Sequence, residues 1–324
     1  MVQRGIADTR IAAWSLTQAA CGVESKIGGR VPDELIGLPE PPPIGSSALP
    51  AGTYEGVVVM VTGGGTGLGK AIASEFARLG ASVVIASRKA DHLAAGTSAL
   101  KAVGGRVMTV VCDIRDDLQI AAAFDAAQSW AGPVGVLINN AAANFPSPAE
   151  DLSPNAWRTV VDITLTGTYL CAREFGRRHL ADRTPGSIVN VGATYAWTGG
   201  PGFAHSAAAK AGVKNLTETL AVEWGPYGIQ VNGLVPGLFP HEDMTADILS
   251  NLDRTNEKDV CQPALRVGRL RELGWAATFL ASPYARFISG HTLVVDGATW
   301  QRRSLTNPPV VPIREQMGRP PFGS

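Results

Sequence analysis

Short apolar runs alternate with segments of helical spacing through the middle of the chain. The run Val57–Val61 precedes a segment in which Leu68, Ile72 and Phe76 recur at helical intervals. The same alternation predicts further strands at 82–86, 107–111, 134–138, 187–191, 230–234 and 292–295, with helices at 67–79, 89–103, 116–130, 154–180 and 206–224. Continuous apolar strands separated by helices are typical of a parallel sheet covered on both faces. The pattern therefore predicts an α/β fold with a doubly wound parallel sheet of about seven strands.

The two ends of the chain lack this regular pattern. Residues 1–52 include a proline-rich stretch from Pro39 to Pro50, which predicts an extended or disordered N-terminal arm with one possible short helix at Ile11–Ala20. Residues 53–300 form the single predicted domain, and residues 301–324 form a polar, proline-rich C-terminal tail. The arm either drapes loosely or clasps a neighbouring subunit, and the sequence leaves both alternatives open.

Composition narrows the class of protein. The 324 residues carry 28 Lys and Arg against 28 Asp and Glu, so the chain lacks the basic charge of a nucleic-acid binder. No apolar run approaches the roughly 18 residues of a membrane helix. The four cysteines are Cys21, Cys112, Cys171 and Cys261, which form no CxxC pair and have no histidine in ligand register. We therefore expect no membrane segment and no metal site, and we expect reduced thiols in a cytoplasmic protein.

A glycine-rich segment, TGGGTGLG at 62–69, follows the first strand and opens the first helix. Glycines allow the backbone to approach a pyrophosphate, and the helix N-terminus supplies free N–H groups. This context predicts a Rossmann-like dinucleotide site. Its expected cofactor-binding residues are Thr62, Gly63, Gly65, Thr66, Gly67, Leu68 and Gly69.

The residues after the second strand predict which dinucleotide binds. Ser87, Arg88 and Lys89 occupy this position, and the first carboxylate is Asp91. A basic pair beside a hydroxyl suits a 2′-phosphate, whereas an NAD site usually places a carboxylate there. The predicted cofactor is therefore NADPH. Later strand ends add four further expected cofactor-binding residues, of which the first is expected to accept from the adenine amino group: Asp113, Ile114, Asn140 and Ala141.

Several motifs in order resemble the short-chain dehydrogenase/reductase family over about residues 54–298. They are TGGGTGLG at 62–69, CDIRD at 112–116, NNAA at 139–142, AAAK at 207–210 and VPG at 235–237. The resemblance implies cofactor contacts by Pro236 and Gly237, and by Lys210 at the nicotinamide ribose. The family usually places Tyr four residues before this Lys, Ser 13 residues before that Tyr, and Asn in the long helix. This chain has Ser206, Ala193 and Thr164 at those positions.

A second set of segments resembles the NADPH-dependent 2,4-dienoyl-CoA reductases within that family. The segments are Asn144–Phe145, 152–157, 194–199 and 206–210. In those enzymes the Tyr lies 15 residues before the Lys, a spacing that Tyr195 and Lys210 reproduce. The resemblance implies reduction of a 2,4-dienoyl-CoA to an enoyl-CoA in the oxidation of unsaturated fatty acids, an acyl-CoA substrate and a homotetramer. The implied catalytic residues are Tyr195, Lys210, Asn144 and Ser206.

The chemistry explains why the usual Tyr is dispensable. Hydride addition to the far end of a conjugated thioester delocalises charge onto the thioester oxygen, which needs hydrogen-bond donors in a dry site. Tyr195 and Asn144 would donate to that oxygen. Ser206 lies one turn before Lys210 and is expected to hold its ammonium group. Residues 239–267 are expected to form the substrate loop.

Two alternatives remain open from the sequence. One is a short-chain reductase of another acyl thioester or ketone. The other is a catalytically inactive NADP(H)-binding member of the family, because three of its four usual catalytic positions differ.

Overall fold

The computed structural model describes residues 36–241, 244, 262–302 and 312–320. The helix expected at 11–20 and most of the expected substrate loop lie outside these residues. No helix within these ranges combines the length and apolarity needed to cross a bilayer.

A single parallel sheet forms the centre of the described chain, with the strand order β3-β2-β1-β4-β5-β6-β7. Its strands are β1 (Val58–Thr62), β2 (Ser82–Ser87), β3 (Arg106–Val111), β4 (Val134–Asn139), β5 (Gly186–Val191), β6 (Ile229–Pro236) and β7 (Thr292–Val295). The predicted doubly wound sheet is confirmed. The order reverses between β1 and β4, so a crevice opens beyond the carboxyl ends of these two strands.

Helices cover both faces of the sheet. The described helices are α1 (Gly67–Arg78), α2 (Ala90–Ala102), α3 (Asp117–Ala131), α4 (Pro154–Val161), α5 (Gly167–Asp182), α6 (Tyr195–Thr198), α7 (Ala204–Trp224), α8 (Leu270–Ala281) and α9 (Ile313–Gln316), of which α6 and α9 are single turns outside these layers. Phe76 of α1 and Leu273 of α8 pack on one face, whereas Phe124 of α3 and Phe175 of α5 pack on the other. Alternate residues of β1 point to the two faces, which explains its continuous apolar run.

The long helix predicted from 154 is present but is interrupted. Ser153 caps its start by accepting from the Ala156 N–H at 3.1 Å. A π-helical turn at Asp162–Thr166 separates α4 from α5. Such turns insert a residue into the helical repeat and often occur at functional sites.

Helix α8 was not predicted from the sequence. Its start is fixed by Glu272, whose carboxylate accepts from the Arg269 backbone N–H at 2.9 Å. Leu270, Leu273 and Ala277 give it a helical apolar face, which packs against α1. The apolar spacing and the Glu at the third position were the available signals.

The described part of the N-terminal arm is bonded to its own chain. Residues 36–50 contain no helix or strand. The Arg271 guanidinium donates to the carbonyls of Pro41 and Pro42, and the Trp275 indole N–H donates to the Ser46 carbonyl at 3.0 Å. This part of the arm therefore docks along α8.

Candidate active site

The glycine-rich segment turns where β1 meets α1. Gly63 has φ +65° and Gly67 has φ +49°, which are conformations that favour glycine. A Cβ on Gly69 would lie only 2.3 Å from the Gly63 carbonyl oxygen, so the turn closes on itself. This tight turn places the N-terminus of α1 at the crevice, where a bound pyrophosphate would lie.

Two side chains brace this turn from inside. Asn140 donates from Nδ2 to the carbonyls of Thr62 (3.0 Å) and Gly63 (3.2 Å). The Thr62 hydroxyl accepts from the backbone N–H groups of Asn140 and Ala141 at 3.0 and 3.1 Å. Thr62 is 2% exposed. The Thr62 side chain thus joins β1 to β4 beneath the crevice. Its contact with the cofactor stays a prediction.

A cleft of about 360 Å³ lies above this turn, within the size range of ligand sites. The cleft brings together most of the cofactor-binding residues expected from the sequence: Gly63, Thr66, Gly67, Leu68, Gly69, Ser87, Arg88, Lys89, Asp113, Ile114, Asn140 and Ala141. Gly65 instead packs on α2, where its Cβ would lie 2.4 Å from the His92 carbonyl oxygen.

The outer end of the cleft carries a positive balance. Arg115 pairs with both carboxylate oxygens of Asp113 at 2.5–3.1 Å, and Arg88 lies 3.9 Å from the same carboxylate. The Arg115 hydrogen bond holds the pKa of Asp113 below its usual value. The carboxylate expected to accept from adenine is thus engaged by Arg115. The sequence analysis missed Arg115, although the CDIRD motif contains it.

His241 also lines the cleft. Its sequence position placed it in the substrate loop, but its ring packs against the phosphate turn. A Cβ on Gly67 would lie 2.9 Å from His241 Cε1. No local sequence signal predicts this contact, because it forms only when the chain after β6 folds back onto the phosphate turn.

The end of β6 is held by β7 and the turn after it. The Gly237 N–H donates to the Val295 carbonyl at 2.9 Å. A Cβ on Gly237 would lie 2.5 Å from the Cβ of Asp296. Pro236 and Gly237 therefore form a close backbone contact with this neighbouring turn, which accounts for the glycine independently of any cofactor.

Tyr195 opens the short helix α6 after β5, and its phenol reaches back to α7. The Tyr195 hydroxyl and the Ser206 hydroxyl are hydrogen-bonded at 3.0 Å. The Tyr195 ring stacks on Phe203, with centroids 6.3 Å apart and planes 6° apart. Burial raises the pKa of Tyr195, and the Ser206 hydrogen bond offsets part of this rise. The phenol is therefore neutral and fixed in position at physiological pH.

Lys210 is buried on the same helix face. Its ammonium donates to the Val191 carbonyl at the end of β5, at 2.5 Å. Burial lowers its pKa from 10.5 to about 8. The expectation that Ser206 holds this ammonium is wrong, because the Ser206 hydroxyl bonds to Tyr195 and Lys210 reaches the strand end instead.

Asn144 lies in the loop after β4 and is exposed. The loop is anchored one residue earlier by Thr164, which replaces the usual asparagine of the long helix. The Thr164 hydroxyl accepts from the Ala143 N–H at 3.2 Å and donates to the Ala143 carbonyl at 3.4 Å. Thr164 is fully buried in the π-helical turn, so this irregular turn positions the backbone beside Asn144.

Aromatic packing closes the side of the site. His205, at the start of α7, is fully buried and meets the Phe145 ring edge to face at 4.6 Å. Within the described ranges its ring nitrogens have no hydrogen-bond partner. Trp197 stacks on Trp300, with centroids 5.3 Å apart. These contacts join the loops after β4, β5 and β7. No cluster of three metal-ligating side chains occurs among the residues that the structure describes.

Comparisons with known proteins agree with this fold. A family model described as enoyl-(acyl carrier protein) reductase matches residues 63–298. A probable 2,4-dienoyl-CoA reductase of Bacillus subtilis is 38% identical over 253 residues, which are 75% of this chain and 96% of that protein. A solved short chain dehydrogenase of Bacillus anthracis is 39% identical with a TM-score of 0.69, covering 75% of this chain and 96% of that chain.

A more distant solved structure is a gluconate 5-dehydrogenase of Burkholderia cenocepacia in complex with NADP and tartrate. It is 30% identical with a TM-score of 0.71, covering 78% of this chain and 98% of that chain. The fold and the cleft define an oxidoreductase that binds a nicotinamide cofactor. The chain belongs to the short-chain dehydrogenase/reductase family, as its motifs predicted.

The lowered pKa of Lys210 predicts that the stability of the cofactor-free protein depends on pH. Unfolded chains hold the Lys210 proton up to about pH 10.5, whereas the folded chain releases it near pH 8. Unfolding then takes up a proton between these values, so rising pH favours the folded state. The quantity to compare is the free energy of unfolding of the wild type minus that of Lys210→Met. We expect this difference to rise across the window by at most about 1.4 kcal/mol per pH unit.

Urea unfolding at several pH values between 7 and 10.5 measures this difference. Lys101→Met is the matched control for the loss of a lysine, because Lys101 is exposed near the end of α2. A flat difference for Lys210→Met would contradict the lowered pKa.

Proposed function

We propose that this protein is an NADPH-dependent 2,4-dienoyl-CoA reductase. The observation that carries the proposal is the hydrogen bond of the Tyr195 phenol to Ser206, the residue that stands at the family's usual tyrosine position. Tyr195 comes from the loop after β5, whereas the family's usual tyrosine position lies on α7. The Tyr195 phenol would therefore approach a substrate oxygen from a different direction than the usual tyrosine. The Bacillus subtilis relative named as a probable dienoyl-CoA reductase supports this assignment.

The direction of the Tyr195–Ser206 hydrogen bond determines what the phenol offers a substrate. If Ser206 donates to the phenol oxygen, the phenol proton remains available for the thioester oxygen. Because burial raises the pKa of Tyr195, the phenol keeps this proton at neutral pH. Tyr195 then stabilises a developing enolate by donating a hydrogen bond, without giving up its proton.

Asn144 supplies the second donor in this proposal. Its amide has two N–H groups, and its exposure leaves it accessible to a ligand. Thr164 holds the adjoining backbone through Ala143, which restricts movement of the Asn144 amide relative to Tyr195. Two donors on one oxygen suit a delocalised dienolate, whose charge is spread before protonation by water.

Lys210 supplies positive charge beneath the site. With a pKa of about 8 it is largely protonated at pH 7, and the Val191 carbonyl fixes its position. Its remaining ammonium protons are available to ribose hydroxyls. The reduced nicotinamide, when bound, supplies the hydride that adds to the distal carbon of the conjugated system.

The choice of NADPH rests on charge at the outer end of the cleft. Arg88 and Lys89 line this end, and Arg115 neutralises the nearby Asp113 carboxylate. A 2′-phosphate would meet a net positive surface there, with Arg88 able to form a charge-assisted hydrogen bond. The predicted homotetramer and cytoplasmic location remain predictions.

Turnover of a 2,4-dienoyl-CoA tests the role of the phenol. We expect Tyr195→Phe to lower kcat about 100- to 1000-fold, as loss of one oxyanion donor does in other enzymes. NADPH oxidation by the purified protein, followed by absorbance, measures the rate. Tyr227→Phe is the control, because Tyr227 is exposed and its hydroxyl is remote from this hydrogen bond.

Two results would overturn the proposal. One is a Tyr195→Phe rate equal to that of the wild type. The other is a wild type that oxidises gluconate with NADP⁺ but leaves dienoyl thioesters unreduced, because a hydroxy-acid dehydrogenase would then explain the site.

Cofactor preference is tested by Arg88→Ala. Loss of a charged hydrogen bond costs about 1.5–3 kcal/mol, so the Kd for NADPH should rise about 10- to 100-fold. The Kd for NADH should stay within about two-fold, because it has no 2′-phosphate. Fluorescence titration measures both constants, with Lys101→Ala as the control for loss of a basic residue. Equal weakening of both cofactors would contradict the charge argument.

A further inference from the structure

Two loops of the candidate site meet at a single backbone hydrogen bond. The first follows β4 and comprises residues 140–153, including Asn144. The second follows β5 and comprises residues 192–203, including Tyr195. The Ser147 N–H donates to the Gly202 carbonyl at 2.8 Å, which joins the two loops directly. One such bond contributes only about 1 kcal/mol, so further contacts are needed to fix their separation.

The C-terminal segment 312–320 packs against the second of these loops. Its one-turn helix α9 presents Ile313, and Met317 follows directly. A Cβ on Gly202 would lie 2.6 Å from Met317 Cε and 3.5 Å from Ile313 Cδ1. Gly202 has φ +79°, a conformation that favours glycine. Its lack of a side chain leaves room for this apolar contact.

Arg314, on the same helical turn, engages the first loop. Its guanidinium donates to Glu150 Oε1 at 3.0 Å and to Asp151 Oδ1 at 2.8 Å. It also donates to the Pro320 carbonyl at 3.1 Å, which folds the segment around the side chain. The Arg314 side chain is 17% exposed, whereas the Glu150 and Asp151 side chains are 36% and 30% exposed.

We propose that segment 312–320 is a clamp that fixes the two loops relative to each other. Arg314 is its positioning residue. Ile313 and Met317 hold the loop of Tyr195, and Arg314 holds the loop of Asn144 through the turn at 149–151. This inference rests on the proposed function only for its catalytic consequence, which is the separation of the two oxygen-binding donors. A displacement of about 1 Å is enough to cost about 100-fold in rate.

Hydrogen exchange tests the clamp without any substrate. In Arg314→Ala we expect amides in residues 144–152 and in residues 196–203 to exchange about ten-fold faster, because the joining bonds open more often. Exchange in β6 should be unchanged. Arg319→Ala is the matched control, because Arg319 is an exposed arginine of the same segment. Arg314→Lys keeps the charge and should retain most of the protection.

Kinetics give the second readout. We expect Arg314→Ala to lower kcat for the dienoyl thioester about ten-fold, because misplaced donors weaken transition-state binding. The Kd for NADPH should remain within about two-fold, because Glu150 and Asp151, which Arg314 binds, do not line the cofactor cleft. Arg314→Lys should restore most of the lost kcat.

The outcomes separate the two proposals. Unchanged exchange in Arg314→Ala, or faster exchange confined to 149–151, would overturn the clamp whatever the substrate is. Faster exchange in both loops, in a wild type that does not reduce dienoyl thioesters, would support the clamp and refute the proposed function alone.

Discussion

The hydrogen bond between the hydroxyls of Tyr195 and Ser206 is the interaction on which the candidate site depends. It ties a residue of the loop after β5 to helix α7, whose buried face packs against the sheet. Lys210 on the same helix bonds to the end of β5, so loop, helix and strand share one frame. The Tyr195 phenol is therefore held in a fixed position relative to the buried Lys210 ammonium group.

The same principle operates at the cofactor end of the crevice. Asn140 and Thr62 brace the phosphate turn from β4 and β1, which meet where the strand order reverses. Arg115 pairs with Asp113, and its positive charge offsets the carboxylate charge that would oppose a phosphate. Binding groups are placed by loops at the carboxyl edge of the sheet, and buried hydrogen bonds from the sheet hold those loops.

Local sequence signals predicted the strands, the phosphate turn and the helix bearing Lys210, because apolar period and glycine spacing act over a few residues. They did not predict the partners of side chains that meet across long sequence distances. Ser206 pairs with Tyr195 rather than Lys210, and His241 reaches Gly67 from the end of β6. Helix α8 had a local apolar pattern that went unassigned. Arg314 reaches Glu150 and Asp151 from the C-terminal tail, a contact for which the sequence carries no local signal.

The most direct test is a crystal structure of the protein with NADP⁺ and an enoyl-CoA product. We expect the thioester oxygen to lie within hydrogen-bond distance, about 2.6–3.2 Å, of both the Tyr195 hydroxyl and the Asn144 amide nitrogen. We also expect Ser206 still to bond to the phenol. A thioester oxygen bound by other groups, with the Tyr195 hydroxyl turned away from it, would refute the proposed role of both donors.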